Sequence, residues 1–170
     1  MPYPEMMVAP MRAELTNQGF TELKSAEEVQ INMDGNQDTT LVVVNSVCGC
    51  AAGSCRPGVL ESLTGDKKPA KLYTVFAGQD LDATTKAREY MAPYPPSSPA
   101  IALFKNGELV HMVERHMART PQPLPSAVTT SLSSWYAPFA PVAPSPLGPA
   151  RAATRLGPAS RGNLGPTFAY

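Results

Sequence analysis

The chain lacks any long apolar run, and no stretch approaches the ~18 residues that a membrane-spanning helix needs. Its first fifteen residues also lack the apolar core of a secretory signal, because Glu5, Arg12 and Glu14 interrupt them. We therefore expect a soluble cytoplasmic protein. At 170 residues the chain is long enough for one domain with a full core and too short for two domains of ordinary size.

Signatures of several other chemistries are missing as well. The sequence contains no glycine-rich phosphate-binding loop, no Ser/His/Asp arrangement and no basic patch interleaved with aromatic residues. The four arginines of residues 117–170 are too dispersed to indicate nucleic-acid binding. We therefore expect neither nucleic acid nor a membrane among the partners of this protein.

Acidic residues are absent from residues 117–170, which also contain no lysine and hold 10 of the 19 prolines. Residues 1–116 hold all 14 acidic residues and 10 of the 14 basic ones, which gives them a formal charge of −4. This change in composition predicts an α/β domain over residues 1–116 and a disordered Pro/Ala/Arg-rich tail over residues 117–170. An ordered helix at residues 126–136 is the alternative for part of that tail.

Apolar periodicity in residues 1–116 predicts helices and strands in alternation. Helices are expected near residues 4–20, 26–33 and 82–91 and from the cysteines to about residue 63, and strands near residues 39–46, 71–76, 100–104 and 109–113. Ser25 and Glu28 fit a capping box, Gly19 fits a helix C-cap, and Asp80 or Asp82 fits an N-cap. An Asn106-Gly107 hairpin turn joins the last two strands. This order predicts a central mixed sheet with helices on both faces.

All three cysteines lie within the nine residues from Val47 to Cys55, directly after the apolar strand. Cys48 falls between the strand's end and the first turn of a helix, where backbone N–H groups stabilise a thiolate and lower the pKa. Cys50 lies two residues on, within reach of a sulfur bonded to Cys48. A disulfide across one residue is strained and easily reduced, so this pair is expected to oxidise other thiols or to shuffle disulfides rather than to act as a strong reductant.

Cys55 is expected to be a small buried thiol, because free cysteine is among the most buried residue types. In a regular helix it would lie about 140° around the axis from Cys50, which prevents a disulfide, although a resolving role is the alternative. The three cysteines could also bind a soft metal with His111 or His116 as fourth ligand. Cys-x-Cys-x4-Cys is not a common zinc spacing, so metal binding stays as the alternative to redox chemistry.

The segment around the first two cysteines, Asn45-Ser46-Val47-Cys48-Gly49-Cys50-Ala51-Ala52-Gly53-Ser54 followed by Arg56-Pro57-Gly58, resembles the bacilliredoxin family, thioredoxin-like proteins with a CGC site. Further matching blocks are Pro2 to Glu5, Thr74 to Asp80, Ala92 to Pro99, Leu103 to His111 and Glu114 to His116. Together they cover residues 2–116 nearly continuously, which is far more specific than a bare Cys-x-Cys.

The resemblance implies a thioredoxin-like fold and thiol exchange with mixed disulfides of low-molecular-weight thiols, above all bacillithiol. Cys48 would be the nucleophile that takes bacillithiol from a client protein. Cys50, separated from it by Gly49, would then resolve the adduct, or a further bacillithiol would do so. Bacillithiol would be a co-substrate and no cofactor would be bound. A disulfide-isomerase activity is also associated with the family.

The resemblance places Pro99 at the position of the cis-proline that thioredoxin folds set beside the active-site sulfur. Cis peptide bonds occur essentially before proline, and a backbone in that place can pair with a substrate chain. The other prolines of this crossing, Pro93, Pro95 and Pro96, are expected to be trans loop residues.

The sequence departs from the family at two places. The family usually has a small residue such as alanine where Cys55 stands, so the resemblance gives this thiol no role.

The family also continues past His116 with a final amphipathic helix that covers the sheet, whereas Met117 begins the acid-free tail. Our hypothesis is that a frameshift replaced this helix, and a genuine disordered extension is the alternative. Unless residues 126–139 substitute, several apolar side chains would be exposed, each worth ~1.5–3 kcal/mol of burial, and the domain would be marginal.

Overall fold

The computed structural model describes residues 2–65 and 68–117. Within them lie the helices α1 (Glu5–Thr16), α2 (Ala26–Met33), α3 (Arg56–Ser62) and α4 (Leu81–Tyr90) and the strands β1 (Thr21–Glu22), β2 (Thr39–Asn45), β3 (Lys71–Phe76), β4 (Ala100–Lys105) and β5 (Glu108–Val113). One π-helical turn, Ala51–Cys55, directly precedes α3. No helix in this part of the chain is long and apolar enough to cross a bilayer. The predicted tail and the alternative helix at residues 126–136 lie outside the described residues.

The strands form one mixed sheet in the order β1-β3-β2-β4-β5. The central strand β2 is parallel to β3 and antiparallel to β4, and β4 forms a hairpin with β5. This arrangement confirms the thioredoxin-like α/β fold that the resemblance implied. Strand β1 was not predicted, because its two residues are too few to show an alternating pattern.

Two local structures that were predicted from neighbouring residues, a helix capping box and a hairpin turn, are confirmed. The Ser25 hydroxyl accepts the Glu28 N–H at 3.1 Å, and the Glu28 carboxylate accepts the Ser25 N–H at 3.3 Å, which is a complete capping box at the start of α2. Asn106 and Gly107 have φ angles of 52° and 80°, as a type I′ turn between β4 and β5 requires.

Of two further predicted helix caps, one is confirmed in position and one is wrong. Asp80 stands at the N-cap of α4, as predicted, although its side chain makes no capping bond. Its carboxylate accepts two hydrogen bonds from Arg12 instead, at 2.7 and 3.0 Å, because an ion pair to a buried guanidinium outweighs a cap. Helix α1 ends at Thr16 with Asn17 as its C-cap, and Gly19, at φ +93°, forms part of the turn that follows.

The expectation of a trans bond before Pro93 is also wrong. The Ala92–Pro93 peptide is cis. The chain reverses there directly after α4, and the Tyr94 N–H donates to the Met91 carbonyl at 3.1 Å. A cis-proline at the third position of such a turn is the type VI arrangement.

Apolar side chains are buried on both faces of the sheet, as the predicted layers require. Alternate residues of β2 point to opposite faces, so Val42 and Val44 pack toward α2 and α4, while Leu41 and Val43 pack toward α1 and α3. Strand β2 is buried along its whole length. An exposed apolar sheet face is not found among the described residues, and residues 126–139 lie outside them.

We predict that Leu41→Ala lowers the free energy of unfolding by about 2–5 kcal/mol, because it removes a fully buried side chain from the central strand. Urea unfolding followed by circular dichroism measures this loss. The control is Ile31→Ala in α2, where the side chain is 68% exposed and the expected change is within about 0.5 kcal/mol. Equal unfolding midpoints for the two variants would contradict the assigned core.

Candidate active site

Cys48 lies where the central strand passes into a helix. Strand β2 ends at Asn45, and a helical run begins at Gly49 and continues through the π turn into α3. The Cys48 carbonyl accepts the Ala51 N–H at 3.0 Å, and the Cys48 sulfur lies 3.4 Å from the same nitrogen. The predicted position of Cys48, between the strand and the first helical turn, is therefore confirmed.

The side chains of Cys48 and Cys50 lie side by side. Both are free thiols, and their Sγ atoms are 2.8 Å apart. A disulfide bond is about 2.05 Å long, so only a small movement separates this dithiol from a disulfide. A Cβ added at Gly49 would meet nothing within 4 Å, so sterics do not require a glycine between the cysteines.

Four hydrogen bonds act on the Cys48 sulfur. Burial raises the pKa of this thiol, but the hydrogen bonds outweigh it and leave the pKa below its ordinary value. The donors are the Cys50 thiol, the Ser46 hydroxyl at 3.3 Å and the backbone N–H groups of Ala51 and Cys50. Such donors bind a thiolate more strongly than a thiol, so they favour the nucleophilic form.

Cys55 is 1% exposed and packs in the core beside Val59, which confirms the prediction of a buried thiol. Burial raises the pKa of Cys55 to about 12. The regular helix assumed for residues 50–60 is wrong, because the Arg56 N–H bonds to the Ala51 carbonyl in a π turn. The predicted angle of 140° to Cys50 therefore does not apply, and α3 continues directly from the π turn at Arg56.

The structure places a buried arginine beneath the cysteine loop, a residue that the sequence analysis did not single out. Arg56 is 2% exposed, and its Nε and Nη2 donate to both oxygens of Glu14 at 2.6 and 3.1 Å. Its Nη1 donates to Asn45 Oδ1 at 3.1 Å and to the Ser46 carbonyl at 3.3 Å. The sequence did carry a signal for this burial, because Arg56 directly follows Cys55 in a helical run whose inward-facing residues are apolar.

Pro99 lies at the edge of the sheet where the cysteine loop begins. The Ser98–Pro99 peptide is cis and Pro99 is buried, so the predicted cis geometry is confirmed. Ala100 pairs with Val44 in the antiparallel β2–β4 ladder, which brings Pro99 to the same edge as Asn45. The role of Pro99 beside the reacting sulfur stays a prediction.

The two histidines proposed as metal ligands lie on or beyond β5. His111 is half-buried, which lowers its pKa, and His116 is exposed. Within residues 2–65 and 68–117, no three His, Cys, Asp or Glu side chains are grouped to hold a metal ion. Cys55 packs into the core, so this geometry does not favour the metal-binding alternative.

The sequence of this chain is similar to a known protein family and to several named proteins. The model of a family described as "Disulphide isomerase" matches residues 3–139. A bacilliredoxin of Cytophaga hutchinsonii is 63% identical over 114 residues, which cover 67% of this chain and 84% of that protein. A bacilliredoxin of Halalkalibacterium halodurans is 55% identical over 121 residues, which cover 71% and 84%. A solved thioredoxin from Malassezia sympodialis shares 17% identity, with coverage of 66% and 90% and a TM-score of 0.42.

We predict that iodoacetamide alkylates Cys48 in the native reduced chain down to a lower pH than it does an ordinary thiol. The lowered pKa keeps Cys48 as a thiolate there, and the rate falls once the pH drops below that pKa. Peptide mass spectrometry over a pH series measures the rate at each cysteine. Cys55 is the internal control and stays unmodified until denaturant exposes it. The assignment would be contradicted if the alkylation rate of Cys48 fell at the same pH as that of an ordinary free thiol, or at a higher pH.

Proposed function

The chain belongs to the bacilliredoxin family, which supports a thiol–disulfide redox function, and we propose that it removes bacillithiol from protein mixed disulfides. The observation that carries this proposal is the pair of free thiols 2.8 Å apart at the end of β2. One of them, Cys48, is half-buried with donors that favour its thiolate, and the cis-proline Pro99 lies at the same sheet edge.

In the first step, the Cys48 thiolate attacks the bacillithiol sulfur of the mixed disulfide. A bond forms between Cys48 and bacillithiol, and the bond between bacillithiol and the client protein breaks. The client sulfur leaves as a thiolate and takes a proton from water. No net oxidation occurs, because one disulfide replaces another.

In the second step, Cys50 loses a proton to solvent and attacks the Cys48 sulfur. A Cys48–Cys50 disulfide forms and bacillithiol leaves as a thiolate, so two electrons have passed from the dithiol to the original mixed disulfide. An external thiol must return them, and a disulfide that spans one residue is easily reduced. A second bacillithiol can instead attack the bacillithiol sulfur on Cys48 and release oxidised bacillithiol. The short distance from Cys50 to Cys48 favours the first route.

A general protein disulfide isomerase is the second candidate, because the matching family model carries that description. Isomerisation needs one thiolate that attacks a client disulfide and is later displaced by another client thiol. Cys48 alone suffices for that cycle, whereas removal of bacillithiol with disulfide formation needs Cys50 as well. The two functions therefore differ in their dependence on Cys50.

The partners that this proposal requires are bacillithiolated client proteins and bacillithiol itself. Bacillithiol enters as a co-substrate, and neither exchange step requires a bound cofactor. A reducing compartment such as the cytoplasm supplies the thiols that return the dithiol to its reduced form, so we place the function there.

We predict that Cys48→Ala abolishes turnover of a client protein that carries a bacillithiol mixed disulfide, because it removes the attacking sulfur. Cys50→Ala accumulates a covalent bacillithiol adduct on Cys48 when no further bacillithiol is supplied. Mass spectrometry of the client and of the chain measures both outcomes. Cys55→Ala is the matched control and retains turnover, since that thiol is buried and protonated.

Normal turnover by both the Cys48 and Cys50 variants would contradict the proposal, and stoichiometric metal in the purified chain would then favour metal binding. If Cys50→Ala fails on the mixed disulfide yet rearranges a scrambled disulfide-bonded protein at the wild-type rate, the isomerase function is present in addition.

A further inference from the structure

The Ser46 hydroxyl is a buried donor directed at the sulfur of Cys48. Ser46 follows the last residue of β2, is 6% exposed, and its Oγ lies 3.3 Å from Cys48 Sγ. A buried hydroxyl is costly unless it is hydrogen-bonded, so its partner is set by the groups within reach. Here the Cys48 sulfur accepts that hydrogen bond.

The backbone of Ser46 is held on both sides of its side chain. Its N–H donates to Asn45 Oδ1 at 2.8 Å, and its carbonyl accepts Arg56 Nη1 at 3.3 Å. The same Arg56 nitrogen reaches Asn45 Oδ1 at 3.1 Å, while Asn45 Nδ2 donates to the Met11 carbonyl of α1 at 3.1 Å. These bonds fix the peptide units around Ser46 and hence the direction of its Cα–Cβ bond.

We propose that Ser46 is a positioning residue for Cys48: its hydroxyl, carried on a backbone that Arg56 and Asn45 hold, donates to the sulfur and keeps Cys48 in its reactive thiolate form. The inference rests on the proposed function, in which Cys48 is the nucleophile.

Ser46 differs from Cys50, the other side-chain donor to the Cys48 sulfur, in one respect that matters for the catalytic cycle. Cys50 gives up its proton to resolve the adduct, whereas the serine hydroxyl keeps its proton through both steps. It therefore stabilises Cys48 as the attacking thiolate of the first step, and as the leaving thiolate when a second bacillithiol removes the adduct.

The titratable and charged groups around this loop come from three elements. Cys50 lies beside the sulfur, Cys55 follows at the end of the π turn, and Arg56 of α3 pairs with Glu14 of α1. Glu14 balances the guanidinium charge, so this ion pair fixes the loop without adding net charge. Directed donors such as Ser46 then supply the stabilisation of the sulfur.

The test compares Cys48 alkylation by iodoacetamide in the wild type, Ser46→Ala and Ser46→Thr across a pH series. We expect Ser46→Ala to slow alkylation roughly three- to tenfold at neutral pH, the effect of losing one hydrogen bond of ordinary net strength. At alkaline pH, where every form is a thiolate, the rates converge. Ser46→Thr keeps the hydroxyl and restores the wild-type profile. The matched control is Ser62→Ala, which removes a buried hydroxyl that bonds to the Val59 carbonyl at 2.7 Å in α3.

An unchanged pH profile in Ser46→Ala overturns the inference, as does an equal shift in Ser62→Ala. If Ser46→Ala does not fold, the Ser46→Thr and Ser46→Val pair makes the same comparison, since the two differ by a hydroxyl against a methyl group. Alkylation uses no bacillithiol, so the result is independent of the proposed function. A shifted profile in a chain whose wild type does not turn over bacillithiol mixed disulfides would reject the function and retain the role of Ser46.

Discussion

The ion pair between the buried Arg56 guanidinium and the exposed Glu14 carboxylate is the contact on which the geometry of the cysteine loop depends. A guanidinium that is 2% exposed is destabilising unless each of its nitrogens has a partner. Here Nε and Nη2 bind both oxygens of Glu14, and Nη1 bridges Asn45 and Ser46. One side chain thereby joins α1, the end of β2 and the start of α3. Cys48 follows two residues after Ser46, so its position is set by this network.

A second buried arginine anchors the other side of α1. Arg12 is 6% exposed, pairs with Glu22 and Asp80, and lies 5.0 Å from the centroid of the Phe76 ring. Ion pairs therefore join α1 to β1 and to the start of α4, and a cation–π contact joins it to the end of β3. A nucleophile must be held in place to gain from donors aimed at it, and of the two arginines it is Arg56 that bonds to the residues leading into the cysteine loop.

The features that followed from short stretches of sequence were predictable, and those that depend on distant partners were not. The capping box at Ser25, the turn at Asn106 and the position of Cys48 each rest on residues that are close in sequence. The Arg56–Glu14 pair joins residues 42 apart, and an arginine read by itself indicates a solvated surface. The π turn escaped prediction because it depends on how Cys55 and Arg56 pack inward, which local propensity does not encode.

In the proposed cycle, Cys48, held at the end of β2, exchanges first with a bacillithiol disulfide and is then attacked by Cys50. The most direct measurement is time-resolved peptide mass spectrometry of the reduced full chain after exposure to oxidised bacillithiol. We expect a bacillithiol adduct on Cys48 that gives way to a Cys48–Cys50 disulfide, while Cys55 stays a free thiol. An initial adduct on Cys50 or Cys55, or no adduct and no disulfide at all, would contradict it.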